Sequence, residues 1–521
     1  MWLSLLCSSD FASQNQPQFP QKGSFRCAKA MVITMSKGSR KREANAEKHK
    51  LKREKEEFEA KKRKVRRVTA IITGSLIIAL ILVTVVGTII YNVRMNSGEY
   101  LRREVAASSY DYDVDGAMMN YYFNDVYNTF VDYYGSYVSY YGLDTTLDLK
   151  KQEISDGETW FEYFMSGAKN NVSTILALNE AADDAGVSLS DDEVNAVSIR
   201  ADIIDTGLYG RGVNRDDIYN SKLLEALAYK YQFMKEDEFT PSVSEIEERY
   251  NENPKDYQTV DYYSYSFAWS DTTRTEEEAN ALAEQLASVN NVDAFIVEMK
   301  KQMPAGEPDL TDEELESSAE SFLTTDPANP ADDELSEWLF GGAAVGETKI
   351  ITDEENSNVT VYMLVSEPSR DESMTANVRH ILLTETGWGS SEKALEKAEE
   401  LLAEFEAGDK SEESFGILAL AYSEDEGSYY NGGLYENVLP GQMVESFNDW
   451  CFDGSRAVGD VDIIETDYGY HIMYYVGEGL ESWQSSVSGA IISEKFNEYN
   501  TELEESYPVE FDDSVLNLIP G

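Results

Sequence analysis

The sequence predicts an α+β protein with one apolar helix near its N-terminus, a mostly helical region, two related units and a C-terminal helix. Each related unit is expected to combine a small antiparallel sheet with surrounding helices. Three observations predict this class. Residues 68–93 form one uncharged apolar run, and residues 104–250 space their apolar side chains three and four positions apart. Residues 256–368 and 374–479 repeat one order of elements.

Charge divides the 521-residue chain at the apolar run. Residues 1–67 contain 18 Lys/Arg and 7 Asp/Glu, a net charge of +11, whereas residues 68–521 contain 25 and 90, a net charge of −65. The 26 residues of the run exceed the roughly 20 that cross a bilayer as a helix. Because basic flanks stay inside, the cluster at 61–67 predicts a single-pass protein of the cell membrane. Its basic segment 1–67 is cytoplasmic and the bulk of the chain is extracytoplasmic.

A cleaved signal peptide is the main alternative to this anchor. The apolar region of a signal peptide spans about 7–15 residues and ends in small residues. Here the run is longer and leads into Ile89-Ile-Tyr-Asn-Val-Arg94, so we expect an uncleaved anchor. Residues 1–34 differ in character from the basic stretch that follows. We therefore expect Met35 to be the native start and residues 1–34 not to be native.

Charge and cysteine content limit the partners and the stabilising chemistry. The acidity of the external part disfavours nucleic acid as a partner. Of the three cysteines only Cys451 follows the apolar run, so packed cores rather than an intramolecular disulfide must stabilise the external part. We expect no metal and no cofactor.

The region 104–250 is predicted to be helical over 117–130, 160–182 and 190–206. Ser188-Leu-Ser-Asp-Asp-Glu193 and Ser242-Val-Ser-Glu245 are typical helix starts, with a hydroxyl ahead of acidic residues. The 33 tyrosines of the chain supply either a polypeptide-binding surface or ordinary core and rim. Residues 480–521 are predicted to form a helix over 480–505 and a short apolar tail.

The two related units align by hand along most of their length. Each opens with a strand-like run, at 259–267 and at 376–383, and continues into a helical run, at 275–286 and at 391–406. A helix end, a glycine and two strands follow. This alignment puts Ser264 and Val361 of the first unit where the second has His380 and His471. The first unit also lacks a glycine-rich middle segment.

His380 and His471, two of only three histidines, stand in apolar strand-like runs that can lie side by side. Between them, Asn431-Gly-Gly-Leu434 permits a tight turn and close backbone approach. Met443 and Phe447 are four apart on a predicted helix, so they are expected to share a face and, with Leu434, to line a small apolar pocket. Taken singly, a histidine of this kind, or Met443 and Phe447 alone, is better explained by core packing.

The motifs agree in order and spacing with one known family. They are Arg379-His-Ile-Leu382, residues 415–425, Asn431-Gly-Gly-Leu434, Gly441-Gln-Met443, Phe447 and Thr466-Asp-Tyr-Gly-Tyr-His-Ile472. In these motifs the second unit resembles the parvulin-type (PpiC, rotamase) peptidyl-prolyl cis–trans isomerases.

The resemblance implies that His380, Asp425 and His471 are catalytic. It implies that Leu434, Met443 and Phe447 form the proline pocket and that Ser423 and Thr466 are flanking polar positions of the substrate site. Tyr435, where a small residue is common, and Leu439-Pro440 depart from the pattern and are expected to narrow or reshape the pocket.

The order of the whole chain resembles that of extracytoplasmic foldases of the PrsA and SurA type. That resemblance implies a chaperone-like helical region, a degenerate first unit, and unfolded or partly folded proline-containing polypeptides as partners. Rotation about an X–Pro bond is slow because it breaks amide resonance, so catalysis needs an apolar pocket and a polar wall but no nucleophile. We expect His380 and His471 to hydrogen-bond to each other and Asp425 to bias the tautomer. A non-catalytic holdase chaperone and a structural envelope protein are the alternatives.

Overall fold

A computed structural model describes residues 37–521 apart from 156, 271, 273, 304–318, 320 and 328–332. The expectations for residues 1–34 and for Met35 lie outside the described residues. The chain divides into two units, with the boundary between Ile90 and Tyr91. Over the described residues the architecture is α+β, with helices predominating and small antiparallel sheets, as the sequence predicts.

Helix α1 (Lys37–Asn96) contains all the described residues of the first unit. Among the described residues it is the one helix long and apolar enough to cross a membrane, and a signal sequence shares those two properties. Its apolar side chains are exposed, for example Leu80 at 65% and Val83 at 69%. Surfaces of this kind are normally covered by lipid or by protein.

The predicted helical region contains five helices and two small strand pairs. Ser190 with Glu193, and Ser242 with Glu245, form reciprocal capping boxes, which confirms both predicted helix starts. The elements in chain order are β1 (Val105–Ser108), β2 (Asp113–Asp115), α2 (Gly116–Tyr134), β3 (Glu153–Ser155), β4 (Glu158–Thr159), α3 (Trp160–Asp184), α4 (Asp191–Ile203), α5 (Arg215–Phe239) and α6 (Val243–Glu252).

The two related units follow as two four-stranded antiparallel sheets with helices. The first comprises β5 (Thr259–Ala268), α7 (Glu276–Ala287), α8 (Val292–Gln302), β6 (Leu323–Pro327), α9 (Glu334–Phe340), β7 (Thr348–Asp353) and β8 (Asn358–Leu364). The second comprises β9 (Met374–Leu383), α10 (Glu385–Trp388), α11 (Ser391–Ala407), α12 (Glu412–Tyr422), β10 (Leu434–Val438), α13 (Glu445–Cys451), β11 (Val461–Thr466) and β12 (Gly469–Glu481). The strand orders are β6-β5-β8-β7 and β10-β9-β12-β11, which are equivalent.

The C-terminal segment returns to the helical region. It consists of α14 (Ser482–Ser506), β13 (Glu510–Phe511) and α15 (Asp513–Leu516). Strand β13 pairs with β1, and Val515, Leu516 and Ile519 are buried in the core formed by α2 and α3. The predicted apolar tail therefore completes the helical core.

Each face of the second sheet supports its own core. Ile381, Leu383 and Ile472 point to one face, where they pack against α11 and α12. Val378 and Met473 point to the opposite face, toward Phe447 and Trp450 of α13. Since side chains alternate along a strand, His380 and His471 lie on this second face.

The register of the first unit corrects one equivalence expected from the sequence. Gly346 N donates to Leu364 O (2.8 Å), and Gly459 N makes the same bond to Tyr475 O (2.9 Å), so Leu364 corresponds to Tyr475. Counting back four residues places Thr360, not Val361, at the position of His471.

Cross-strand pairing gives the same answer. In the first unit Ser266 pairs with Thr360, and in the second unit Leu382 pairs with His471. Ser266 is therefore equivalent to Leu382, and Ser264, two residues earlier, is equivalent to His380. The hand alignment was one residue out in β8. Such a slip moves a side chain to the other face, and Val361 is buried against α7 and α8.

This register predicts different costs for two neighbouring histidine substitutions. Val361→His should destabilise the first unit by about 2–5 kcal/mol, because it leaves an imidazole unpaired in an apolar core. Thr360→His should cost clearly less, since position 360 already holds a polar side chain, whose Oγ1 lies 2.7 Å from Oγ of the exposed Ser266. Hydrogen-exchange mass spectrometry of β5 and β8 measures the local opening free energy in both variants. Equal loss of protection, or a greater loss in Thr360→His, would contradict the register.

Candidate functional site

Two buried imidazoles meet between the central strands of the second sheet. His380 on β9 and His471 on β12 are 2% and 5% exposed. Their Nδ1 atoms are 3.0 Å apart, and their rings lie nearly parallel at 20° with centroids 5.2 Å apart. Two ring nitrogens at this separation share one proton, so one imidazole donates and the other accepts.

A loop between α12 and β10, residues 423–433, supplies the carboxylate. Asp425 Oδ2 lies 2.9 Å from His380 Nε2 and accepts a hydrogen bond from Tyr435 Oη at 3.0 Å. Ser428 Oγ donates to the same oxygen and lies 3.2 Å from His380 Nε2. All the side-chain donors that reach Asp425 thus meet at Oδ2.

Glycine lets this loop close over the strand. Gly432 and Gly433 have φ of +64° and +75°, and a Cβ on Gly433 would lie 2.1 Å from His380 O. The close approach allows His380 N to donate to Gly433 O at 2.8 Å. The tight turn and close backbone approach expected from the glycine pair are therefore present.

The hydrogen-bond partners determine which ring nitrogen of each histidine carries a proton. An ionised Asp425 requires a proton on Nε2 of His380. For a neutral His380, Nδ1 then accepts from Nδ1–H of His471. Nε2 of His471 is left as an acceptor for Thr466 Oγ1, 2.9 Å away. A continuous chain of hydrogen bonds therefore runs from the Thr466 hydroxyl through both histidines to Asp425.

Burial keeps His471 uncharged, and hydrogen bonds keep Asp425 ionised. Burial lowers the pKa of His471 to about 3, with help from the neighbouring His380. Burial would raise the pKa of Asp425, but the His380 imidazole and the hydroxyls of Ser428 and Tyr435 hold it below its usual range. At neutral pH His471 is thus uncharged and Asp425 is ionised.

Aromatic rings form the wall around the histidines. Phe447, 3% exposed, meets His380 and His471 edge-on, with centroids 5.5 Å from each and interplanar angles of 82° and 86°. Tyr435 stacks on His380 at 5.0 Å and 22°. Met443 packs in the same cluster as Phe447. However, it precedes α13, which begins at Glu445, so the predicted shared helix is wrong.

Leu434 lies on the face of the sheet opposite the histidines, and Ser423 lies at the margin of the site. Leu434 pairs with Arg379, and Tyr435 pairs with Val378. Successive strand side chains point to opposite faces, so both cannot face the histidines, and it is the Tyr435 ring that stacks on His380. Ser423 is fully buried, and its Oγ accepts from Leu382 N (3.1 Å) and Asp425 N (3.3 Å). Its contacts tie the loop to β9.

Sequence reasoning missed two participants in the site. Ser428 lies in the acidic loop, and its spacing of three from Asp425 is the only sequence signal for it. Tyr435 appears in the sequence only as a departure from the family pattern, whereas in the structure its hydroxyl holds Asp425 and its ring covers His380.

Comparison with known proteins points to one family. Residues 362–476 match the family described as PPIC-type PPIASE domain. The foldase protein PrsA of Geobacillus sp. (strain WCH70) is 43% identical over 77 residues, which cover 15% of this chain and 26% of that protein. The chaperone SurA of Pseudomonas putida is 33% identical over 108 residues, which cover 21% and 23%.

A crystal structure of peptidylprolyl isomerase (PrsA) from Bacillus anthracis aligns with 45% of this chain and 88% of its own, at 15% identity and a TM-score of 0.18. The chain spans about a quarter of the length of the two curated relatives. The match to the family model places a domain of the parvulin (PPIC) type at residues 362–476, and the two curated relatives are similar to this chain over 77 and 108 residues.

The environment of His471 predicts an unusual titration. In the folded protein its imidazole should still be neutral at pH 5, whereas in the urea-unfolded chain it should titrate near 6.5. The unfolded state then binds the extra proton, so this group makes folding less favourable as pH falls below 6.5. The loss is about 2 kcal/mol between pH 7 and pH 5.

Selective ¹⁵N labelling of histidine measures this directly, since the chain has only three. The His471 signal is identified by its loss in His471→Gln. An imidazolium signal for His471 in the folded protein at pH 6 would contradict the assignment.

Proposed function

We propose that the chain is a peptidyl-prolyl cis–trans isomerase and foldase that acts on secreted or surface polypeptides outside the membrane. The chain of hydrogen bonds from Thr466 through His471 and His380 to Asp425, set against Phe447, carries this proposal. It places a fixed polar wall beside an aromatic surface, which is what rotation of an X–Pro amide requires.

The proposed mechanism is electrostatic. In a planar amide the nitrogen lone pair is delocalised onto the carbonyl oxygen, and rotation breaks this resonance. With the proline ring against Phe447 and Met443, the ionised Asp425 opposes charge on the carbonyl oxygen. The planar amide is then destabilised relative to the twisted one, and only such differential interaction accelerates the step.

The histidines keep Asp425 in place and ionised. Its Oδ2 is occupied by His380, Ser428 and Tyr435, so Oδ1 is the oxygen that we assign to the substrate side. His471 remains neutral and passes no charge to the site. We assign His380, Asp425 and His471 the catalytic roles, and Phe447 and Met443 the proline surface, with Ser423 and Thr466 at its margins.

We further propose that the segments of the chain have different roles. Residues 374–479 act as the isomerase domain, and residues 104–250 with the C-terminal segment 480–521 act as a chaperone-like body. Residues 256–368, with Ser264 and Thr360 at the two histidine positions, serve polypeptide binding or spacing. The clients are unfolded or partly folded proline-containing polypeptides, as the foldase and chaperone relatives suggest.

Loss of the Asp425 charge should abolish most of the catalysis. Asp425→Asn should lower kcat/KM for a proline-containing peptide by about 10²-fold or more, since it removes a preorganised charge. The measurement is a cis–trans isomerisation assay on the full chain in detergent. Asp462→Asn, an exposed position on β11 of the same sheet, is the matched control and should leave the rate unchanged.

Two results would contradict the proposal. Wild-type rates in Asp425→Asn would remove Asp425 from the mechanism. A folded wild-type protein that suppresses client aggregation without accelerating isomerisation would instead establish the holdase alternative.

We propose that α1 anchors the chain with its basic segment in the cytoplasm. The uncharged stretch 68–93, its exposed apolar side chains and the preceding basic cluster support this orientation.

Protease added to intact protoplasts should therefore digest the chain after residue 94 and leave a membrane-bound fragment that contains residues 37–93. Immunoblotting with tags at either end reads both outcomes, and lysed protoplasts control for access. Digestion of the N-terminal tag in intact protoplasts would reverse the orientation. A mature protein that begins after residue 93 would show a cleaved signal instead.

A further inference from the structure

The loop that carries Asp425 and Ser428 packs against the helical region and is hydrogen-bonded to it. Residues 423–433 leave the C-terminus of α12, and this end of α12 packs on α4 and α5. The shared apolar contact comprises Ala196, Val197, Ala226, Leu420, Ala421 and Tyr429. Two buried cations of the helical region reach across this contact to the loop.

Arg200 on α4 holds the start of the loop. It is 6% exposed, and its Nε donates to Leu420 O at 2.6 Å. Its Nη2 donates to Ala419 O at 3.2 Å and to Ser423 O at 2.7 Å. The last carbonyls of a helix lack intrahelical partners and carry partial negative charge. The Arg200 guanidinium therefore caps α12 where the loop begins.

Ser423 passes this constraint to the site. Its carbonyl is held by Arg200, while its Oγ accepts from Asp425 N and from Leu382 N, two residues beyond His380. A single residue, Ser423, thus connects Arg200 by hydrogen bonds to the backbone of Asp425 and to the strand that carries His380.

Lys222 on α5 holds the far side of the loop. Its Nζ donates to Tyr429 Oη at 3.0 Å and pairs with Glu225 Oε2 at 2.9 Å. The Arg200 guanidinium lies 3.8 Å from the centre of the Tyr429 ring. Both cations therefore converge on Tyr429, the neighbour of Ser428, whose hydroxyl reaches Asp425 and His380.

We propose that Arg200 and Lys222 are positioning residues for the isomerase site. They fix the loop 423–433 so that Asp425 and Ser428 stay against His380, and catalysis in the second unit thereby depends on the helical region. This inference rests on the proposed isomerase function, but its structural part is measurable without activity.

The test compares Arg200→Met and Arg200→Lys with Arg215→Met in the full chain. Lysine keeps the charge but lacks the planar fork that spans three carbonyls. Arg215 of α5 bonds to Asp202 and Ser198 of α4 and, among the described residues, forms no hydrogen bond or ion pair with the loop, so it is the matched control. Lys222→Met tests the contact of Lys222 with Tyr429, and thermal unfolding checks that each variant is folded.

Both Arg200 variants should lower kcat by about 10- to 100-fold while KM changes little, because a displaced carboxylate weakens the step rather than binding. The ¹⁵N signals of His380 should shift as its Asp425 partner is lost, and Lys222→Met should shift them in the same direction. Arg215→Met should match wild type in both readouts.

Wild-type kcat and unchanged His380 signals in folded Arg200→Lys and Arg200→Met would overturn the inference, and so would equal losses in Arg215→Met. If the wild-type protein shows no isomerase activity, the proposed function fails. The His380 signals then still decide whether Arg200 holds the loop.

Discussion

The ionised state of Asp425 is the constraint on which the site depends. One carboxylate oxygen collects His380, Ser428 and Tyr435, and this negative charge fixes the proton on Nε2 of His380. The rest follows from hydrogen-bond complementarity: where Nδ1 of His380 accepts, His471 donates through its Nδ1 and accepts from Thr466 through its Nε2. A buried pair of imidazoles without such an anchor would have no defined direction.

Strand parity decides which side chains can take part in this arrangement. His380 and His471 share a face because Leu382 pairs with His471 and side chains alternate from there. In the first unit the same face carries Ser264 and Thr360, while Val361 points into the apolar core under α7 and α8. The fold itself therefore does not need imidazoles at these two positions, and the second unit retains them in contact with a carboxylate that suits a chemical role.

Much of this arrangement could be predicted from the sequence, because periodicity and turn chemistry are local signals. The opening strand and the last two strands of each unit, the two capping boxes, the glycine turn and the histidine pair all follow from short patterns, whereas β6 and β10 were not predicted. The alignment failed in β8, where a one-residue slip leaves hydrophobicity almost unchanged but reverses the face. Met443 was misplaced because α13 starts two residues later than the apolar spacing suggests.

The contacts that join the Asp425 loop to the helical region are long-range, and the sequence did not reveal them. Arg200 lies 220 residues before Leu420, whose carbonyl it holds. Nothing near Arg200 in the sequence distinguishes it from an ordinary helical arginine. Tyr435 illustrates the converse, since a residue that departs from a family pattern can still serve the site by a contact of its own.

The direction of the hydrogen-bond chain is the central claim, and histidine tautomers report it most directly. Two-bond ¹⁵N–¹H correlation spectra of the histidine-labelled protein at pH 7 distinguish Nδ1–H from Nε2–H. The account predicts opposite tautomers, with Nε2–H at His380 and Nδ1–H at His471. The same tautomer at both positions, or an imidazolium at His380, would contradict it.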